Sequence, residues 1–314
     1  MKTAFAKTGA ESRDGGTILA IMPSERPAFP PASLSPPAAP MIRDHAADRT
    51  PLLGPADPPP VTVVRGSATA PMLLVCDHAG TAFPAALGTL GVGPQDLGRH
   101  IAYDIGAEAV TRHLSDRFDA TAVLSGYSRL VIDLNRDLGD PTSIPEISDG
   151  TVVPGNRDLT PDAVARRVQA LFWPYHRGIA AHLARLRRGA LEGEAVPGVV
   201  SIHSFTPVMR GLPRPWHIGV LWDRDPRIAM PLIARLEREP GLLVGDNEPY
   251  SGRNTEGHTV DRHAAAAGLP HVLIEIRQDL IATADGQARW AAVLGDALAD
   301  VLADSDLFGI ANPG

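Results

Sequence analysis

From Val61 onward the chain alternates short unbroken apolar runs with longer stretches in which apolar residues return every three or four positions. The unbroken runs "MLLVC" (72–76), "GVVSIHS" (198–204), "WHIGVLWD" (216–223) and "HVLIEI" (271–276) are strand-sized and rich in β-branched residues. Runs of that kind are the mark of strands covered on both faces. A further stretch, "ATAVLSGYSRLVIDLNRD" (120–137), reads as extended chain as far as Asn135. Between these runs, residues 86–118 read as helical segments. The segment that opens "TPDAVARR" has Thr160 as N-cap, Pro161 at the first helical position and Asp162 in the first turn, all helix-start signals. Residues 226–239 and about 284–304 complete the set of expected helices.

Strands that alternate with helices imply an α/β fold: three layers, a mainly parallel or mixed sheet with helices on both faces. In such sheets ligands bind outside the carboxyl ends of the strands. The first 60 residues have another texture. Segments such as "RPAFPPASLSPPAAP" and "PLLGPADPPP" lack periodicity and cannot bury enough apolar area to offset their ordering entropy. The expected organisation is therefore a Pro/Ala-rich, disordered arm over 1–60 and one α/β domain over 61–314.

The chain has 314 residues, 44% of them hydrophobic, enough for a full core. Its longest apolar runs fall well short of the roughly 20 residues of a membrane helix. A formal net charge of −7 argues against nucleic acid or an anionic membrane as partner. Cys76 is the single cysteine, which excludes an internal disulfide framework and fits a reducing compartment. The short run "TILAIM" lacks the flanks of a secretory signal, so a cytoplasmic location is expected. Oligomeric state is left open by these features.

Four apolar runs finish in chemically capable residues: Asp77 and His78, Asn135 and Arg136, His203, and Glu275. Two imidazoles and a carboxylate are a common first set of ligands for a catalytic zinc. His78 and His203 supply the imidazoles. The carboxylate is Asp104 or Asp77, and Asp104 is preferred because ligands adjacent in sequence strain a metal site. One zinc per chain is expected, although other divalent metals also suit such donors. Glu275 stands between two isoleucines, where burial would raise its pKa toward the range of a general base. Arg129, Asn135 and Arg136 fall within "SRLVIDLNRD" and offer a fork and an amide to an anionic small substrate; a salt bridge to Asp133 or Asp137 is the competing role for each arginine.

"CDHAGTAFP", "AYDIGAEAV", "SRLVIDLNRD", "YHRGI", "SIHSFTP", "PYSGRNTEGHTVDRHA" and "IEIRQDL" occur in an order that resembles the N-formylglutamate amidohydrolase family, over about Met72 to Leu280. That family looks like a relative of the zinc carboxypeptidases, and the resemblance implies a hydrolase-like α/β fold of that type. It implies His78 and His203 as zinc ligands, Asn135 and Arg136 as holders of a substrate carboxylate, and Glu275 as general base. Where the carboxypeptidase pattern has a glutamate three residues after the first histidine, this chain has Thr81, and Asp104 is taken in its place. Arg253 lies in a loop shaped by Gly252 and Gly257 and is a candidate for a second substrate carboxylate or for the oxyanion, as Arg129 is for the oxyanion. His258 and His263 of that loop are polar groups that could reach the site, with a surface position as the competing reading, and Tyr175 and His176 are supports for the site. The activity implied is hydrolysis of N-formyl-L-glutamate, or a similar small N-acyl amino acid, to formate and glutamate. The competing readings are a hydrolase of another N-acyl amino acid or a peptide terminus, and a dicarboxylate-binding protein without turnover.

Overall fold

The computed structural model describes residues 51–67, 70, 72–190, 196–253 and 257–308. Contacts divide the chain into Met1–Ala46, outside the described residues, and Ala47–Gly314, which carries every element below. Strands β1 (Val61–Val64), β2 (Met72–Cys76), β3 (Ala122–Ser125), β6 (Gly198–Phe205), β9 (Ile218–Leu221), β10 (Val244–Asp246) and β11 (His271–Arg277) form one seven-stranded sheet. Two small hairpins stand apart from it, β4 (Ile147–Ser148) with β5 (Thr151–Val152), and β7 (Val208–Met209) with β8 (Leu212–Pro213). The sheet order is β1-β3-β2-β6-β11-β9-β10. β3, β2, β6 and β11 run parallel, β1 and β9 are antiparallel to their neighbours β3 and β11, and β10 is parallel to β9. This is the mixed, mainly parallel α/β sheet expected of the alternation.

The helices are α1 (Pro94–Leu97), α2 (Ala107–Phe118), α3 (Pro161–Arg167), α4 (Trp173–Ala190), α5 (Ala229–Leu236), α6 (Thr259–His263) and α7 (Ala284–Leu302). α3 starts where its signals place it: Thr160 Oγ1 accepts from Ala163 N at 3.2 Å and Pro161 fills the first position. One π-helical turn, residues 168–172, joins α3 to α4. On one face of the sheet Leu74, Cys76, Val200, Ile202, Val272, Ile274 and Ile276 pack against α2, α5 and α7. On the other, Leu73, Val75, Val123 and Val199 pack against Leu171, Phe172, Tyr175 and Ile179 of the 168–190 segment. Successive residues of a strand point to opposite faces, so each central strand feeds two cores.

One sequence expectation is corrected. The strand that was to run to Asn135 ends at Ser125; residues 126–137 form a largely buried loop of turns whose backbone is satisfied by other loops, as in Asp133 N to Ser143 O at 2.7 Å and Arg129 N to Ala102 O at 3.1 Å. Its apolar side chains, Leu130 to Ile132, are core-filling rather than strand-forming. Residues 86–118 hold the expected helical segments, α1 of four residues and α2 starting at Ala107, separated where glycines at 88, 91, 93, 98 and 106 interrupt the run. Of the arm expected over 1–60, residues 1–50 lie outside the described residues. Within 51–60, Leu52 is buried and Pro58 O accepts from Tyr127 Oη at 2.7 Å.

Candidate metal centre

β2, β6 and β11 carry their polar residues to one edge of the sheet. β2 ends at Cys76, and the turn that follows presents Asp77 and His78. Gly80 makes that turn possible: a Cβ there would lie 2.2 Å from the backbone of Gly126 and Tyr127, and Gly80 N donates to Ser125 Oγ. On β6, His203 stands in register with Glu275 of β11, so both side chains leave the same face of adjacent parallel strands. Asp104 lies just before α2, its backbone N–H donating to His78 O at 3.0 Å. His78, Asp104 and His203 are all buried.

One ligand atom from each of these three residues lies within 4.8 Å of the other two, so the trio could hold a metal ion. The atoms can be named from the hydrogen bonds. His78 Nε2 meets Asp133 Oδ1 at 2.7 Å, and His203 Nε2 meets Asp77 Oδ2 at 3.0 Å. Each Nε2 therefore carries a proton and donates it to an aspartate, which turns both Nδ1 lone pairs inward. Both Nδ1 atoms then face Asp104 Oδ2, at 3.2 Å and 2.8 Å. Lone pairs of two neutral imidazoles and a carboxylate repel one another unless protons or a cation lie between them. An outer aspartate behind each imidazole is the usual support of a metal-ligating histidine.

Charge points the same way. Asp77, Asp104 and Asp133 are buried, and the partly buried guanidinium of Arg129 meets two of them, its Nη2 donating to Asp133 at 2.6 Å and its Nη1 to Asp104 at 3.3 Å. With neutral imidazoles, three carboxylates and one guanidinium leave two negative charges, which a dication would balance. Burial opposes ionisation of the three aspartates, yet the surrounding histidines, and at Asp133 chiefly Arg129, hold all three below the usual carboxylate range. Burial likewise opposes charging the imidazoles, and the aspartates outweigh it, raising His78 and, much further, His203. The donor set, the inward lone pairs and the net charge all fit a divalent metal.

Glu275 is buried and its Oε2 has no hydrogen-bond partner among the described residues. Its carboxyl is pushed up to about 7, first by burial and then by Asp104. Arg277, two residues further along β11, is held by Asp279 at 2.8 Å and by the carbonyls of Pro215 and Trp216 rather than by Glu275. Asn135 accepts from Thr259 N through Oδ1 at 2.8 Å, which leaves its Nδ2 without a partner among the described residues. Arg136 is half exposed, with Nε 4.0 Å from Asp133. Arg253 does not join the group. Its guanidinium lies over the ring of Trp222, just past the end of β9, at 5.6 Å, and among the described residues no hydrogen bond or ion pair joins it to His78, Asp104, His203 or Glu275.

The supports of the site were only partly foreseen. Asp133 had been weighed as an arginine partner; it also anchors His78. Asp77 lies outside this trio and meets His203 Nε2 from behind, itself held by Ser201 Oγ at 3.1 Å and by Thr259 Oγ1. His176 donates from Nε2 to Leu134 O at 3.0 Å, and its Nδ1 accepts from His263 Nε2 at 2.9 Å, which makes His263 part of a half-buried pair rather than a surface group. His258, directly before α6, is lowered to about 4, chiefly by burial. Tyr175 is fully buried beside Asp77. No sequence pattern points from residue 133 to residue 78; the signal available was a carboxylate inside an apolar run, which requires a partner.

Residues 70–282 match the family model of N-formylglutamate amidohydrolase. The chain belongs to the N-formylglutamate amidohydrolase family. Among solved structures, a gene product from Agrobacterium tumefaciens is 38% identical, with a TM-score of 0.76 over 81% of this chain and 99% of that one. The N-formylglutamate amidohydrolase from Ralstonia eutropha is 23% identical, with a TM-score of 0.57 over 79% of this chain and 98% of that one, a likeness of fold. No curated protein matches the sequence. In this member of the family, therefore, a buried trio of metal-ligating type stands beside a carboxyl without a partner, and no helix among the described residues is long and apolar enough to cross a membrane.

Proposed function

We propose that the protein hydrolyses the amide bond of N-formyl-L-glutamate, giving formate and glutamate, with one zinc ion per chain held by His78, Asp104 and His203. The observation that carries this reading is the convergence of three inward-facing ligand atoms within 4.8 Å, next to a buried carboxyl with a free oxygen, in an amidohydrolase family. Two nitrogens and an oxygen suit zinc with a position left open for substrate or water. When bound, zinc would polarise the formyl carbonyl and lower the pKa of the attacking water.

The remaining steps belong to the chain. Glu275, poised at about 7, takes a proton as water adds to the formyl carbon and returns it to the nitrogen as the C–N bond breaks. Asp77 and Asp133 hold the imidazoles in the required tautomer. Arg129 is committed to Asp133 and Asp104, so it aids the developing oxyanion through its field. The free Nδ2 of Asn135 and the half-exposed Arg136 receive the α-carboxylate. The buried Cys76 thiol has no partner cysteine, in keeping with a cytoplasmic enzyme built on one domain over 61–314.

The test is formate release from N-formyl-L-glutamate, with chelation and zinc add-back. Release that stops on chelation and returns with zinc is expected. Bound zinc without formate release would move the substrate to another N-acyl amino acid, and tight substrate binding with neither metal nor turnover would favour a dicarboxylate binder.

A further inference from the structure

N-Formyl-L-glutamate carries two carboxylates, and the residues assigned so far receive one. Arg129 is spent on aspartates, Arg277 on Asp279, and Arg253 lies over Trp222. Arg214, between β8 and β9, is placed differently. No carboxylate lies within 4.0 Å of it among the described residues. Its Nη1 donates to Tyr250 Oη at 2.9 Å, and its guanidinium lies over the Tyr250 ring at 4.7 Å and the Phe205 ring at 5.9 Å.

We propose that Arg214 and Tyr250 form the subsite for the side-chain carboxylate of the substrate, an inference that rests on the N-formylglutamate reading above. Phe205 follows His203 by two residues on β6, so its ring leaves the same face about 7 Å further along the strand. The guanidinium over that ring thus stands one strand repeat beyond the metal-ligating edge. Tyr250 reaches it on a strap, residues 247–252, that crosses the same face. The strap passes where β9 and β10 have glycines: a Cβ on Gly219 would lie 2.1 Å from Glu248 O, and one on Gly245 would lie 2.6 Å from it. Gly219 is the residue paired with Glu275, so the two glycines bring the strap down beside the proposed general base.

The pair has the chemistry of an anion receptor. Tyr250 Oη accepts one Arg214 proton, so its own hydrogen is free to point outward; burial and the neighbouring Glu275 raise its pKa, and it stays a donor. The guanidinium keeps further N–H groups in one plane, the geometry that matches a carboxylate. Stacking on two rings fixes that plane before the substrate arrives.

The experiment is calorimetric titration of the zinc-loaded protein with L-glutamate and with L-glutamine, in the wild type and in Arg214→Gln, Arg214→Lys and Tyr250→Phe variants. The wild type is expected to prefer glutamate by at least about ten-fold, the worth of a hydrogen-bonded charge. Arg214→Gln abolishes the preference, Tyr250→Phe lowers it in part, and Arg214→Lys retains part of it, so a folding failure in one variant leaves the others to decide. Equal affinity for both ligands in the wild type, no measurable binding of glutamate, or a preference that survives Arg214→Gln overturns the proposal. Formate release is followed in the same samples. Arg214-dependent preference without formate release would sink N-formyl-L-glutamate as the substrate and keep the subsite. Equal release from N-formyl-L-glutamate and N-formyl-L-glutamine would do the reverse.

Discussion

The two faces of the central strands obey opposite rules. On β6 and β11, Val200, Ile202, Val272, Ile274 and Ile276 point into a core shared with α2, α5 and α7 and contribute dispersion and burial only. The alternate residues, Ser201, His203 and Glu275, point the other way and carry polar or ionisable groups that are just as buried. A buried apolar side chain tolerates a lost neighbour at the cost of a cavity. A buried ionised carboxylate does not: Asp77, Asp104 and Asp133 are each held by named donors, whereas Glu275 keeps one oxygen without a partner among the described residues. One face is therefore almost wholly apolar, and the other joins an apolar core at Val199 to paired polar groups toward the carboxyl ends of the strands, although the same seven or eight residues build both.

Substitutions can break that contrast. The largest effect is expected for Glu275→Gln: formate release falls by about 10² to 10⁴, the usual worth of a general base, while bound zinc stays at one per chain. Ile202→Ala, one residue from His203 on the apolar face, is expected to cost about 2–5 kcal/mol in denaturant unfolding and to leave zinc stoichiometry unchanged. Should it remove the zinc instead, the faces are not independent. Asp133→Asn keeps the shape of the His78 anchor and removes its charge; zinc affinity measured by competition with a chelator is expected to drop about 10- to 100-fold.

The smallest effect concerns pH. His176 and His263 are lowered to about 3 and about 4, chiefly by burial, so the folded chain keeps both neutral where an unfolded chain, with imidazoles near 6.5, has protonated them. The unfolded state then binds more protons, and stability falls as pH drops from about 6.5 toward 4. Urea midpoints between pH 7 and 4.5 are expected to show that slope, and His263→Gln to flatten it. A midpoint independent of pH in the wild type contradicts the pairing of these two histidines.

Much of this was legible because strands end abruptly. His78, His203 and Glu275 could be picked out as chemistry delivered by apolar runs, and Asp104 as a carboxylate set apart from His78 in sequence; the structure brings all four to one edge. What was illegible depends on contacts distant in sequence. "LVIDLN" has strand composition, yet its backbone closes on Ala102 and Ser143, contacts that no local pattern encodes. Asp133 looked like a partner for arginines three and four residues away and proved also to anchor a histidine 55 residues back. Arg253 had the right charge in a promising loop, but its guanidinium stacks on Trp222, whereas Arg214, in no recognisable motif, meets Tyr250 across 36 residues. Proximity in sequence was a fair guide to which strand a group rides on and a poor one to what that group touches.

The central claim is that buried charge on one face of the sheet is arranged around a divalent ion. Zinc titration of metal-free protein tests it most directly, with wild type and His203→Ala side by side. One tight site per folded chain, lost in His203→Ala, is the predicted result; a folded wild-type chain that takes up no zinc, or takes it up equally well without His203, would contradict it.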